Sequence, residues 1–295
     1  MNTVALLVGL GPLIGWGIYP TIASKFGGKP VNQILGSTIG TFIFAIIYNQ
    51  VMHLGFPSGQ NLWLSILSGI GWATAQIITF YSFTLIGSSR AMPITTAFQL
   101  LGASLWGVIA LGDWPTAMDK VIGFIALAFI ILGAYMTVWS EHPSKENSGA
   151  LKKAVIVLLI GEIGYWAYSA APQATSINGM QAFLPQSIGM LLVGIVYGIV
   201  TTFKDKGRSP FTESVTYKQI ISGFFFAFAA LTYLISAQPN MNGLATGFIL
   251  SQTSVVLATL TGIWFLNQKK TRKEMVVTII GLAIIIGAAA VTVFV

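Results

Sequence analysis

Ten runs of mostly apolar residues recur along the chain, separated by short polar gaps. They fall near residues 3–23, 32–53, 61–86, 90–111, 120–139, 153–171, 180–203, 217–237, 243–266 and 273–293. A hydrocarbon core about 30 Å thick is crossed by roughly 20 helical residues. The runs have that length and do not alternate, whereas barrel strands alternate over about ten residues. In lipid every backbone N–H needs an internal partner, which a helix supplies. The pattern therefore predicts an all-α, polytopic membrane protein of ten transmembrane helices. The longest polar gap, from Ser140 to Lys152, leaves no room for a soluble domain.

Composition agrees with that pattern. Only 8% of the 295 residues are charged and mean hydropathy is +0.79, too little polarity to cover a soluble surface. The net charge of +7 is spread over the gaps, which argues against a nucleic-acid-binding face. The absence of Cys excludes disulfides. The first run lacks a basic leader and is followed by Lys25 and Lys29, so it reads as a retained helix.

Basic residues are distributed very unevenly. The odd-numbered gaps hold Lys25, Lys29, Arg90, Lys145, Lys152, Lys153, Lys204, Lys206, Arg208, Lys218, Lys269, Lys270, Arg272 and Lys273. The even gaps and both termini hold only Lys120. Positive residues resist translocation, so the odd gaps are expected in the cytoplasm and both termini outside.

The chain also reads as an internal repeat. Ile66-Leu67-Ser68-Gly69 matches Ile220-Ile221-Ser222-Gly223, and Ala73, Ala75 and Ser82 then match Ala227, Ala229 and Ser236 without a gap. Ile39-Gly40 pairs with Ile188-Gly189, Trp16 with Trp166, and Gln99 with Gln252 at similar depth. An odd number of helices per half inserts the second half upside down, as in many secondary transporters. The expected organisation is a first five-helix repeat over 1–141, a cytoplasmic linker over 142–152 and a second repeat over 153–295. Compositional coincidence in apolar sequence is the competing explanation.

Catalytic and cofactor motifs are weak. Gly9-Leu10-Gly11 opens like a dinucleotide fingerprint but continues to Ile14, with no strand–helix unit around it. Gly28-Lys29 is followed by Pro30, and no phosphate loop precedes it. His53 and His142 sit at span ends, and no acidic or His cluster has metal-ligand spacing. Neither an enzyme nor a bound cofactor or metal is expected. Gly11 and Gly15, Gly36 and Gly40, and Gly194 and Gly198 suit close helix packing. Pro12, Pro20 and Pro185 lie within spans and each removes a backbone donor.

Glu162 stands out among the acids because it lies midway along the sixth span. A carboxylate there must be paired, solvated or protonated. It reads as a proton-carrying or substrate-binding group, with a structural interhelical bond as the alternative. Gln76, Gln99, Gln186 and Gln252 also lie within spans. Trp16, Tyr19, Trp72, Tyr165, Trp166, Tyr168 and Tyr233 share their depth. Amides donate to and accept from hydroxyls, and aromatic faces pack on C–H faces, so the mixture suits a neutral polyol. Interhelical bonding and ordinary packing are the commoner explanation of any one of these residues, and it is the collection that points to a polyol.

Four stretches carry a family resemblance. Gly27-Gly28-Lys29-Pro30-Val31-Asn32-Gln33 and Gly161-Glu162-Ile163-Gly164-Tyr165-Trp166 resemble the glucose/ribose porter family of the drug/metabolite transporter superfamily. So do Arg90-Ala91-Met92-Pro93 through Gln99-Leu100-Leu101-Gly102, and Gln238-Pro239-Asn240-Met241-Asn242-Gly243. The resemblance spans essentially the whole chain. It implies sugar uptake through the cell membrane with proton symport, and brings no binding residues of its own. Many members of the superfamily are drawn with both termini in the cytoplasm, opposite to the charge pattern here.

The sequence therefore leads to a secondary transporter importing a neutral sugar, ribose foremost, by alternating access. Trp16, Gln76, Gln99, Trp166 and Gln252 are the expected sugar-binding residues, and Glu162 binds sugar or carries the proton. Glucose import by the same mechanism and export of drugs or metabolites are the alternatives, with a passive facilitator as a further rival. Its partners are then a sugar, protons and the lipid bilayer.

Overall fold

The structure, a computed structural model, describes residues 3–111, 114–142, 145–205, 209–236, 238 and 240–294. Lys206, Arg208 and Pro239 lie outside the described residues. The chain folds as helices α1 (Thr3–Gly9), α2 (Gly11–Phe26), α3 (Pro30–Val51), α4 (Gly59–Ile86) and α5 (Ser88–Trp106). A π-helical turn, Gly107–Leu111, continues α5. There follow α6 (Ala117–Val138), α7 (Lys145–Ala170), α8 (Gly179–Lys204), α9 (Ser214–Ser236), α10 (Gly243–Gln252), α11 (Ser254–Phe265) and α12 (Arg272–Phe294). No strand occurs among the described residues. Eight helical stretches are long and apolar enough to cross a bilayer. Helix α7 and the α10–α11 pair occupy the other two expected spans, so ten helical segments stand where ten apolar runs were read.

The first span is broken at Leu10. Pro12 has no N–H to give the Val8 carbonyl, and its ring crowds the preceding turn. Helix α1 therefore closes through Leu10 N–H bonds to Leu6 and Leu7, and α2 starts afresh with Pro12 in its first turn. Pro20, Pro93 and Pro185 lie inside unbroken helices.

The expected linker runs over 142–152. Helix α7 already begins at Lys145, so most of that stretch is helical. Lys, Glu, Ala and Leu favour helix, and a helix longer than the apolar slab carries its polar end beyond it.

Packing is dominated by bare main chain. Helix α4 lies on α7 and α8, α9 lies on α2 and α3, and α6 lies on α12. Gly40 abuts the Ile220 carbonyl, and Gly189 abuts the Ile66 carbonyl. Gly223 abuts the Ser37 carbonyl, and Gly69 abuts the Gln186 carbonyl. Gly15 meets the Phe225 carbonyl and Ala229, whereas Gly164 meets the Gly71 carbonyl and Ala75. Gly133 and Gly281 each face the other's carbonyl. A methyl group at any of these positions would collide with the neighbouring backbone. Lipid supplies no hydrophobic drive between helices, so this close van der Waals approach holds them together. Each contact has a counterpart in the other half of the chain.

Candidate functional site

The middle of the bundle is an aromatic stack. Trp72 and Phe226 lie with ring centroids 4.0 Å apart. Tyr19 sits 5.6 Å from Phe226, and Trp16 sits 6.3 Å from Phe226 and 5.8 Å from Tyr233. Trp72 and Tyr19 are buried, on helices α4 and α2. The rings fill the centre. A cleft of about 300 Å³ lies between α2 and α11, around Thr21 and Leu257. Another of about 250 Å³ lies around Ile78, Val157 and Tyr197. Apolar residues predominate in both linings, with Thr21, Lys25 and Thr261 in the first, and neither reaches a sequence-predicted site residue.

Polar groups border the stack on the α4–α7 side. The Tyr165 hydroxyl donates to Gln76 Oε1 at 2.8 Å and pairs with the Thr79 hydroxyl at 3.0 Å. All three side chains are buried. Glu162 lies one helical turn before Tyr165, on the same face of α7. It is 0% exposed, and neither carboxylate oxygen has a hydrogen-bond partner among the described residues. Across the stack, Trp16 Nε1 is buried and equally unpartnered. An unpaired buried polar group costs about 1–3 kcal/mol, more if charged. A protonated carboxyl at Glu162 escapes the larger penalty.

The expected site residues divide into two sets. Trp16, Gln76 and Glu162 come together at the stack and its border. Gln99, on α5, bonds within its own helix, donating to Thr95 Oγ1 at 3.4 Å. Gln252, at the end of α10, bonds to the adjacent Ser251 at 3.4 Å. Trp166 is 44% exposed and packs its indole on Gly102. It belongs to the outer face of α7, next to the exposed Ile163. Phe226 and Thr79 were missed. Reading the Ser68/Ser222 match further along α4 and α9 would have set Trp72 against Phe226 and Thr79 against Tyr233.

Both ends of the bundle are tied. At the basic end, Gly27 and Gly28 take positive φ of 75° and 84°, which turns the chain sharply into Pro30 at the start of α3. Lys29 pairs with Asp205 at 2.5 Å, and Asn32 Nδ2 donates to Glu213 at 2.6 Å and to Thr216 at 2.9 Å. The Gln33 and Gln219 amides both donate to the Ala23 carbonyl. The Glu274 carboxylate accepts from Ser140 Oγ and from the Glu141 and Thr271 N–H groups, and Lys270 donates to the Thr137 carbonyl. At the opposite end, Asn61 bonds Ser176, and Asn242 Nδ2 donates to the Ala5 carbonyl and to Ser236. The turn between α9 and α10 is thereby pinned to α1.

Ten helical segments around a buried aromatic and polar centre make this a multi-pass membrane protein. The family described as "Sugar transport protein" matches residues 7–295, and the chain belongs to it. It is a transporter and not an enzyme. The chain is 74% identical to a Lactobacillus johnsonii protein named "Putative ribose uptake protein RbsU", over 100% of both chains. Proteins of the same name from Lactiplantibacillus plantarum and Enterococcus faecalis are 73% and 70% identical, over 99% and 100% of both chains. One solved crystal structure, 16% identical, matches over 99% of both chains with a TM-score of 0.65, a likeness of fold alone.

Proposed function

We propose that this transporter imports a neutral sugar, ribose foremost, across the cell membrane by alternating access, with proton symport. The observation that carries the reading is full-length identity of 70% and above to proteins named for ribose uptake. The halves that exchange are residues 1–141 and 153–295, inserted in opposite directions. The paired contacts of Gly40 and Gly189, of Gly69 and Gly223, and of Gly133 with Gly281 support that reading, because an inverted repeat generates contacts two at a time. Ties at both ends and a filled centre support a closed conformation. Opening either side then requires the ties at that end to part.

The sugar contacts Trp16 and Gln76 at midplane. Gln99 and Gln252 reach it from α5 and α10, and Trp166 closes over it when the halves rearrange. Glu162 bonds a hydroxyl or carries the coupling proton. Its unpartnered carboxyl supports both roles, since either a hydroxyl or a proton relieves it. The basic odd connections face the cytoplasm and both termini face outward.

Uptake of labelled ribose into proteoliposomes, with and without an inward pH gradient, tests the proposal. Accumulation driven by the gradient and blocked by excess cold ribose supports it. Stronger block by cold glucose than by ribose makes glucose the substrate. Absence of uptake for both sugars removes the reading.

A further inference from the structure

The paired contacts also reveal how the two halves differ at the centre. Gly15 and Gly164 make equivalent contacts, so the next residues, Trp16 and Tyr165, occupy equivalent places. Gly69 and Gly223 do likewise, which sets Trp72 against Phe226, Gln76 against Ala230 and Thr79 against Tyr233. The contacts agree with that register. Trp16 meets Tyr233 ring to ring on one side, and Tyr165 meets Thr79 hydroxyl to hydroxyl on the other. The pair Trp72 and Phe226 stacks where the two sides join. Continuing back along α7 and α2, Glu162 stands opposite Leu13.

Equivalent positions thus carry opposite chemistry. The α4–α7 side presents Gln76, Thr79, Glu162 and Tyr165, while the α2–α9 side presents Ala230, Tyr233, Leu13 and Trp16. We infer that the sugar binds in one fixed orientation. Its hydroxyl-bearing edge lies on Gln76, Thr79 and Tyr165, and its C–H face lies on Trp16, Tyr233 and Phe226. Thr79 and Tyr165 then determine specificity, and they are joined to each other and to Gln76 in the closed form because no hydroxyl separates them. An aldose has this lopsided build, with polar groups round the ring and apolar C–H bonds across it. A cargo polar on all sides would leave the aromatic side unused. The inference rests on the sugar-import reading above.

The test compares ribose with its singly deoxygenated analogues as competitors of labelled ribose in proteoliposomes. Tyr165→Phe and Thr79→Val should each weaken ribose by about tenfold, the scale of one net hydrogen bond. For each variant, the loss should vanish for the one analogue that lacks the matching hydroxyl. Trp16→Leu should weaken every analogue by a similar factor, because a ring face is indifferent to which hydroxyl is missing. Thr79→Ser, which keeps the hydroxyl, should restore the wild-type order and exclude a folding defect. If wild type takes up ribose but Tyr165→Phe and Thr79→Val leave the order of the analogues unchanged, the fixed orientation is overturned and the sugar reading stands. If wild type takes up no sugar, both fall.

Discussion

Glu162 is the residue proposed above to carry the coupling proton or to bond the sugar. Both of its carboxylate oxygens are buried inside the bundle without a hydrogen-bond partner among the described residues. Glu162→Gln keeps the shape of the protonated acid and cannot release the proton. Expected is a loss of gradient-driven accumulation of about tenfold or more, while exchange of labelled for unlabelled ribose across the membrane continues. Accumulation equal to wild type in Glu162→Gln vesicles would remove the residue from coupling. A second titrating residue lies outside the bundle's apolar slab. Burial, reinforced by the Arg90 charge, lowers Lys270 to about 8, and Glu274 opposes the shift. An ordinary lysine titrates near 10.4. The neutral amine therefore appears as pH rises through about 8. Limited acylation at pH 8 with peptide mapping should modify Lys270 ahead of the exposed Lys269 and Lys273, and leading modification of either exposed lysine would contradict it. Glu162 was legible in the sequence because a lone acid inside an apolar run has few explanations. Tyr165 was harder to separate from Trp166, since one residue turns a helical side chain by about 100° and only packing reveals which of two neighbours faces inward.

At the scale of elements, the Glu274 cap holds the α6–α7 connection to the start of α12. Its carboxylate accepts from three groups, at Ser140, Glu141 and Thr271, and Thr271 Oγ1 accepts the Glu274 N–H in return. Glu274→Ala strands several of these and should cost about 2 kcal/mol, read as a fall of several degrees in the melting temperature in detergent. Lys29→Ala breaks an ion pair whose lysine is 62% exposed, and the same measurement should barely move. The glycine contacts give a sharper check. Gly40→Leu and Gly189→Leu press a side chain into equivalent carbonyls, and each should destabilise by at least about 1–3 kcal/mol and by similar amounts. The ten helices were readable because lipid demands a minimum apolar length, which sequence displays directly. The start of α7 was not, since a helix that has left the slab no longer needs apolar residues. The break at Leu10 was foreshadowed by Pro12, but Pro20 and Pro185 show that proline alone does not decide where a helix parts.

At the scale of the molecule, sidedness is open to a clean measurement, because the chain has no Cys of its own. Ser58 is exposed in the α3–α4 connection and Thr212 in the connection leading to α9. A maleimide that cannot cross membranes should label Ser58→Cys in intact cells and reach Thr212→Cys only after permeabilisation. The opposite pattern would turn the molecule over. The match of Ser68-Gly69 with Ser222-Gly223 was visible in the sequence, yet the contrast between Gln76 and Ala230 was not, since exact register emerges only when backbones touch. Those touching backbones have a mechanical consequence. Joints formed by glycine and carbonyl, such as those of α3 on α9 and α4 on α8, have no side-chain torsions to unlock when the helices move. In the alternating access proposed above, the bulky planes of Trp72 and Phe226, with centroids 4.0 Å apart, must part before either side can open.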